Sequence, residues 1–188
     1  MKLKLKLIGV IAACLLFSCN DETKKNTDAP NPDTVQDSIE KKVMDSDTVN
    51  RPELVTAQSD NSLLLTAENG KPIGPSIKYM PEWRAFGWFT TADSVEWEVD
   101  VRHPGEYEVQ LNWSVSDEEA GKEFLLEAKD KQLTGVVGKT GSWETFKKEN
   151  VGKIILSEGY QKVVFRSKTK VEKGALLDLR QIKLVAVK

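Results

Sequence analysis

Hydrophobic and polar residues alternate along the last two-thirds of this 188-residue chain. In Ser94–Val101, the side chains of Val95, Trp97, Val99 and Val101 share one side, and Glu96, Glu98 and Asp100 share the other. In the next run, Tyr107, Val109, Leu111, Trp113 and Val115 alternate with Glu108, Gln110, Asn112 and Ser114. Successive strand side chains point to opposite faces, so a period of two predicts strands with one buried and one wet face. Pro104-Gly105 between the runs suits a type II turn, and the pair is predicted to form a hairpin.

Further strands follow at short spacing. Ser62–Glu68 predicts an opening strand, and Glu123–Lys129 and Gln132–Gly138 flank Asp130-Lys131. Lys153–Ser167 reads as two strands around Glu158-Gly159. Ala175–Val187 is a closing strand, with Leu177, Leu179 and Ile182 inward after a bulge. No stretch of ten or more residues carries a helical period. Many short strands, each with one apolar face, predict an all-β jelly-roll β-sandwich of two antiparallel sheets.

Composition sets the bounds of this domain. Residues 61–188 hold all five Trp, all three Tyr and five of the six Phe, enough for one core. Residues 20–60 hold no aromatic and are rich in Asp, Thr, Asn, Lys and Pro. Such a segment buries too little to offset chain entropy, so residues 19–60 are expected to be a disordered linker with a reach of roughly 35 Å.

Residues 1–18 read as a signal peptide, with Lys2, Lys4 and Lys6 ahead of an apolar run too short to span a bilayer. Leu16-Phe17-Ser18-Cys19 resembles the lipobox of bacterial lipoproteins, although Phe17 is bulkier than usual there. That resemblance implies cleavage before Cys19 and acylation of its thiol, palmitate being the typical chain, with a secretory signal as the alternative. Several acyl chains would give a stable membrane anchor. Asn20-Asp21-Glu22 resembles the acidic surface-export signals of Bacteroidetes-type lipoproteins, which implies the outer membrane or cell surface.

Removing three lysines with the signal would move the formal charge from −2 to −5. No basic stripe marks a nucleic-acid partner. Cys14 would leave with the signal and Cys19 would carry lipid, so the mature domain has no thiol for a disulfide, a metal or catalysis. His103 is the single histidine, and no nucleophile elbow, phosphate loop or zinc spacing is present. Asp and Glu abound, but no spacing places two of them in a cleft for glycoside hydrolysis. The expectation is a protein that is not an enzyme.

The stretches LLLTAENG, DSVEWEVDVRHPGEYEV, GKTGSWETFKK, VGKIILSEGYQKVVF and GALLDLRQIKL together resemble, in this order, a family of galactose-binding-like β-sandwich domains. These are similar to carbohydrate-binding modules of families six and thirty-five, found appended to bacterial sulfatases and fucosidases. The resemblance implies a glycan or polysaccharide as partner.

Trp97 and Trp113 fall in the inward phase and are expected in the core. Trp83, Trp88 and Trp143 lie in stretches without a clean period. Sugars pack C–H faces on aromatic planes and bond their hydroxyls to nearby polar groups. Trp83 with Glu82 and Arg84, and Trp143 with Glu144 and Lys147, match that chemistry; Trp88 is a further candidate. The alternative is that these rings cap the ends of the sandwich. By resemblance, Trp143 in its TG-x-W setting also inherits a place at the sugar cleft. Leu176 stands where family six commonly has a ligand-bonding Asn, which favours the alternative of an accessory module docking to a partner enzyme or transporter. The resemblance implies that Glu68 and Asp178 help hold a structural calcium, although the usual second acid near Glu68 is missing; a salt bridge is the alternative. The acidic run Ser116–Gly121 is a solvated loop, a weak cation site or the rim of a protein-binding surface.

Overall fold

A computed structural model describes residues 53–187. The signal peptide, Cys19 and most of the expected linker lie outside the described residues. The described chain forms twelve strands and no helix. In chain order these are β1 (Val55–Thr56), β2 (Leu63–Thr66), β3 (Lys71–Ile73), β4 (Lys78–Met80), β5 (Ala85–Gly87) and β6 (Ser94–Val101), then β7 (Gly105–Ser114), β8 (Glu123–Ala128), β9 (Lys131–Val136), β10 (Lys147–Leu156), β11 (Gly159–Ser167) and β12 (Asp178–Ala186). One sheet runs β1-β6-β11-β8-β9, with β3 also on β6; the other runs β10-β7-β12-β5-β4, with β2 also on β12. Apart from the parallel β1–β6 pair, every pairing is antiparallel. β1 falls inside the stretch assigned by composition to the linker, so the fold begins before Asn61.

The inward residues of the two sheets meet as predicted. Val95, Trp97, Val99 and Val101 from β6 are buried, as are Tyr107, Val109, Leu111 and Trp113 from β7. Each buried indole N–H finds a carbonyl: Trp97 Nε1 donates to Thr66 O at 2.8 Å and Trp113 Nε1 to Gly138 O at 3.2 Å. These bonds remove the cost of burying the polar end of a large ring.

The expected β6–β7 hairpin is not formed. β6 pairs with β11, β3 and β1, whereas β7 pairs with β10 and β12 in the opposite sheet. The Pro104-Gly105 segment is therefore a corner that carries the chain across the core. The sequence pattern is the same in both cases. A hairpin puts two apolar faces side by side, and an arch puts them face to face. The β10–β11 connection crosses in the same way, whereas β8 and β9 form a true hairpin in one sheet.

The predicted bulge in the closing strand is present. Leu179 pairs with Trp113 and Gln181 with Asn112, so Arg180 is the extra residue. Leu177, Leu179 and Ile182 are all buried, which strict alternation along one strand would not allow. Arg180 is left free to reach outward, and that displacement shapes the site.

Candidate ligand-binding cleft

At one end of the sandwich the loops enclose a cleft of about 860 Å³. Trp83, Trp88 and Trp143 all line it, together with Glu82, Asp178, Lys78, Met80 and Glu119. Two separate chain segments, the β4–β5 hairpin and the β9–β10 loop, thus bring three tryptophans to one place.

Trp83 sits in the turn between β4 and β5, where its N–H donates to Met80 O at 3.2 Å. Its ring stacks on Phe146, with centroids 6.3 Å apart and an interplanar angle of 27°. Arg180 fixes both partners. Its Nε donates to Trp83 O at 3.0 Å, and its guanidinium carbon lies 3.6 Å from the Phe146 ring centre. The bulge in β12 therefore supplies the residue that orients one wall of the cleft.

Trp88 follows β5 directly and is 60% exposed, against 36% for Trp83. Its φ is 63°, in the left-handed region. That conformation costs a bulky side chain about 1–2 kcal/mol and persists only where the surroundings impose it. The carboxylate of Asp93 helps to impose it. Asp93 is buried and accepts from Thr90 N at 2.7 Å, Thr90 Oγ1 at 2.6 Å and Ser76 N at 3.0 Å, tying together the segments on either side of the β4–β5 hairpin. Burial works to raise the pKa of Asp93, but the bonds from Thr90 and Ser76 outweigh it and hold the group below the usual carboxylate range.

Trp143 is half-buried and packs against the core. Its carbonyl accepts from Ser114 Oγ at 2.6 Å. Thr140, also buried, accepts from Val115 N at 2.8 Å and so anchors the same loop to β7. Part of the acidic run braces this loop from outside: Asp117 accepts from Gly141 N at 3.0 Å, while Glu119 pairs with Lys122.

Asp178, at the start of β12, presents its carboxyl to the cleft. Gly87 makes room for it, since a Cβ there would come within 2.6 Å of Asp178 Oδ1 and 2.7 Å of Met80 Cε. Among the described residues none donates a hydrogen bond to this carboxyl. Burial, and then the charge of Glu144, push its pKa up to about 7.

The expected site residues are thus brought together unequally. Trp83, Trp88, Trp143, Glu82 and Asp178 share the cleft. Arg84 does not: it takes a left-handed φ of 48° and pairs with Glu68 outside the cleft. The hairpin turn sends neighbouring side chains to opposite sides, so adjacency to Trp83 in sequence misleads. Glu68 is thereby engaged in an ion pair, whereas Asp178, for which a bridge to Arg180 or a lysine is the alternative, has none among the described residues. Among the described residues no three acidic, His or Cys side chains gather as a metal site; Glu68 is paired with Arg84, and Asp178 lines the cleft. Leu176 is fully buried in the core, where it cannot meet a ligand. Sequence reasoning missed Phe146, Arg180 and Lys78 as site residues and reached Glu119 only as part of the acidic run. Phe146 stands three residues after Trp143, which is the one signal that pointed to it.

No protein-family model matches the sequence, and no curated protein does. Among solved structures, the chain is similar to a family 35 carbohydrate-binding module from Clostridium thermocellum, with 12% identity and a TM-score of 0.55 over 67% of this chain and 98% of that one. It is similar to the C-terminal family 6 module of a laminarinase from Zobellia galactanivorans, with 14% identity and a TM-score of 0.54 over 67% of this chain and all of that one. An exo-β-1,3-galactanase from Phanerochaete chrysosporium, solved with β-1,3-galactotriose, matches with 19% identity and a TM-score of 0.53 over 65% of this chain, which spans only 29% of that enzyme. At these identities the likeness establishes architecture alone, and the described residues form a galactose-binding-like β-sandwich of the kind seen in carbohydrate-binding modules of families 35 and 6.

Proposed function

We propose that this protein is a non-catalytic glycan-binding module, held at the bacterial outer membrane or cell surface by lipid on Cys19. Its ligand is a polysaccharide segment lying in the cleft against Trp88 and Trp143, with Trp83 as a side wall. The observation that carries this reading is the convergence of three tryptophans from two distant segments on one open cleft, with Trp88 held exposed in a strained conformation. A ring kept in water at a conformational cost fits a role in recognition better than a role in packing. Cellotriose, present in a similar family 6 module from Cellvibrio mixtus, and β-1,3-galactotriose are natural first probes. Titration of a panel of neutral and charged oligosaccharides, followed by calorimetry and tryptophan fluorescence, should find at least one binder. Trp88→Ala should weaken that binding tenfold or more, a loss of about 1.4 kcal/mol. No binding across the panel would overturn the reading. The lipid anchor is tested separately: Cys19→Ala should release the protein from the membrane fraction.

A second reading, a module that docks onto a partner enzyme, draws on Leu176. With the usual Asn position buried as Leu, one familiar sugar contact is missing. Co-purification that survives Trp88→Ala and Trp143→Ala would favour it.

A further inference from the structure

The walls around the tryptophans are electrically lopsided. Asp178, Glu82 and Glu119 line the cleft, and Lys78 is the single basic residue among its lining side chains. Lys78 is itself placed on an aromatic face, with its Nζ 5.8 Å from the centre of the Trp88 ring. Glu119 is neutralised by Lys122, but among the described residues neither Asp178 nor Glu82 has a basic partner. Arg180, the nearest guanidinium on the same strand as Asp178, is committed to Phe146 and the Trp83 carbonyl. The cleft therefore offers indole faces beside a carboxyl that no protein donor satisfies.

That combination favours a cationic ligand over a neutral one and disfavours an anionic one most. A neutral glycan offers Asp178 hydroxyl donors but no charge, and a uronic acid or sulfated sugar would meet Glu82, and Asp178 once it is ionised, as like charges. A ligand carrying an ammonium group resolves both. The carboxyl gains a charged donor, and the positive group is attracted to the electron-rich ring faces.

We propose that the cleft selects amino sugars, binding an oligosaccharide with a free, protonated amine so that a sugar ring stacks on the tryptophans and its ammonium meets Asp178. This rests on the glycan-binding reading and narrows its substrate class. The volume of the cleft, about 860 Å³, suits an oligosaccharide rather than a lone ammonium head.

The test is calorimetry on the full chain at about pH 7, where Asp178 can ionise and part of the amine is still protonated, with three tetrasaccharides: glucosamine, its N-acetylated counterpart and a uronic acid. The glucosamine oligomer is expected to bind at least tenfold more tightly than the other two. Asp178→Asn should erase that preference, and Asp178→Glu should restore part of it. Equal or tighter binding of the N-acetylated or uronic oligomer overturns the amino-sugar assignment and leaves the glycan reading standing; silence with all three overturns the assignment, and the wider oligosaccharide panel then decides the glycan reading. A preference that survives Trp88→Ala unchanged would mark long-range attraction to an acidic surface and overturn the assignment too.

Discussion

The Tyr107 hydroxyl donates to the His103 carbonyl at 2.6 Å and ties down the corner where the chain leaves one sheet for the other. The second crossing is fastened alike: Gln161 Nε2, four residues beyond Ser157, donates to its carbonyl at 2.8 Å. In both corners the first inward polar side chain of the new strand reaches back over the arch. Tyr107→Phe keeps the buried ring and removes only the bond. It should cost about 1 kcal/mol, seen as a lower urea midpoint with an unchanged m-value. An unchanged midpoint would show that the corner is held by packing alone.

Asp178 makes stability depend on pH in an unusual direction. Its folded pKa, near 7, lies above the unfolded value near 3.8. Between these values the folded state holds a proton that the unfolded state has lost, so stability falls as pH rises from about 4 to 7. Below about pH 4 both states are protonated and the group has no effect. Asp178→Asn should therefore match the parent near pH 4 and exceed it by about 1–3 kcal/mol at pH 8, after allowing for water in the open cleft. Thermal melts of both proteins across this range check it; parallel curves would count against the assignment.

Gly87→Ala probes the space that Asp178 occupies. The new methyl group must displace Asp178 or Met80, at a cost of about 1–3 kcal/mol. Ligand affinity should fall more than stability does, because the carboxyl can move only by leaving its place in the cleft. Denaturation and titration of the same variant separate the two effects.

Arg180→Lys tests the bulge residue. A lysine keeps the charge but loses the planar face on Phe146 and the Nε bond to Trp83 O. The change should lower glycan affinity about three- to tenfold through a loosened Trp83, with stability altered by less than about 1 kcal/mol. With Trp88 and Trp143 replaced by Phe, Trp83 is the indole open to a soluble quencher, Trp97 and Trp113 being buried, and its quenching should report a more mobile ring in the lysine variant.

The sandwich was legible because burial in a two-sheet core writes itself as period two. Trp97, Trp113 and the inward residues of β12 follow from it, including the bulge. The partner of each strand was not legible, because the alternation of Val95–Val101 and Tyr107–Val115 looks the same in a hairpin and in an arch. The cleft was half legible. Trp83, Trp88 and Trp143 betrayed themselves as aromatics outside any period. Arg180 and Phe146 did not, because their roles depend on a bulge and a loop meeting across long sequence separations. Arg84 failed for the opposite reason, since closeness in sequence was taken for closeness in space.

The β4–β5 hairpin that carries Trp83, with Trp88 at its exit, is the outermost part of its sheet, and β5 meets β12 at one register pair, Leu179 with Phe86. One further backbone bond, Leu176 N to Phe89 O, holds the segment just beyond. So short a seam leaves few backbone bonds to break, but Phe86 is buried and Arg180 holds the Trp83 carbonyl, so the hairpin exchanges by local unfolding while β7, β10 and β12 stay zipped behind it. Amides in Lys78–Gly87 should therefore exchange with solvent far faster than those of β7, and a bound ligand that bridges the hairpin to Trp143 should slow them selectively.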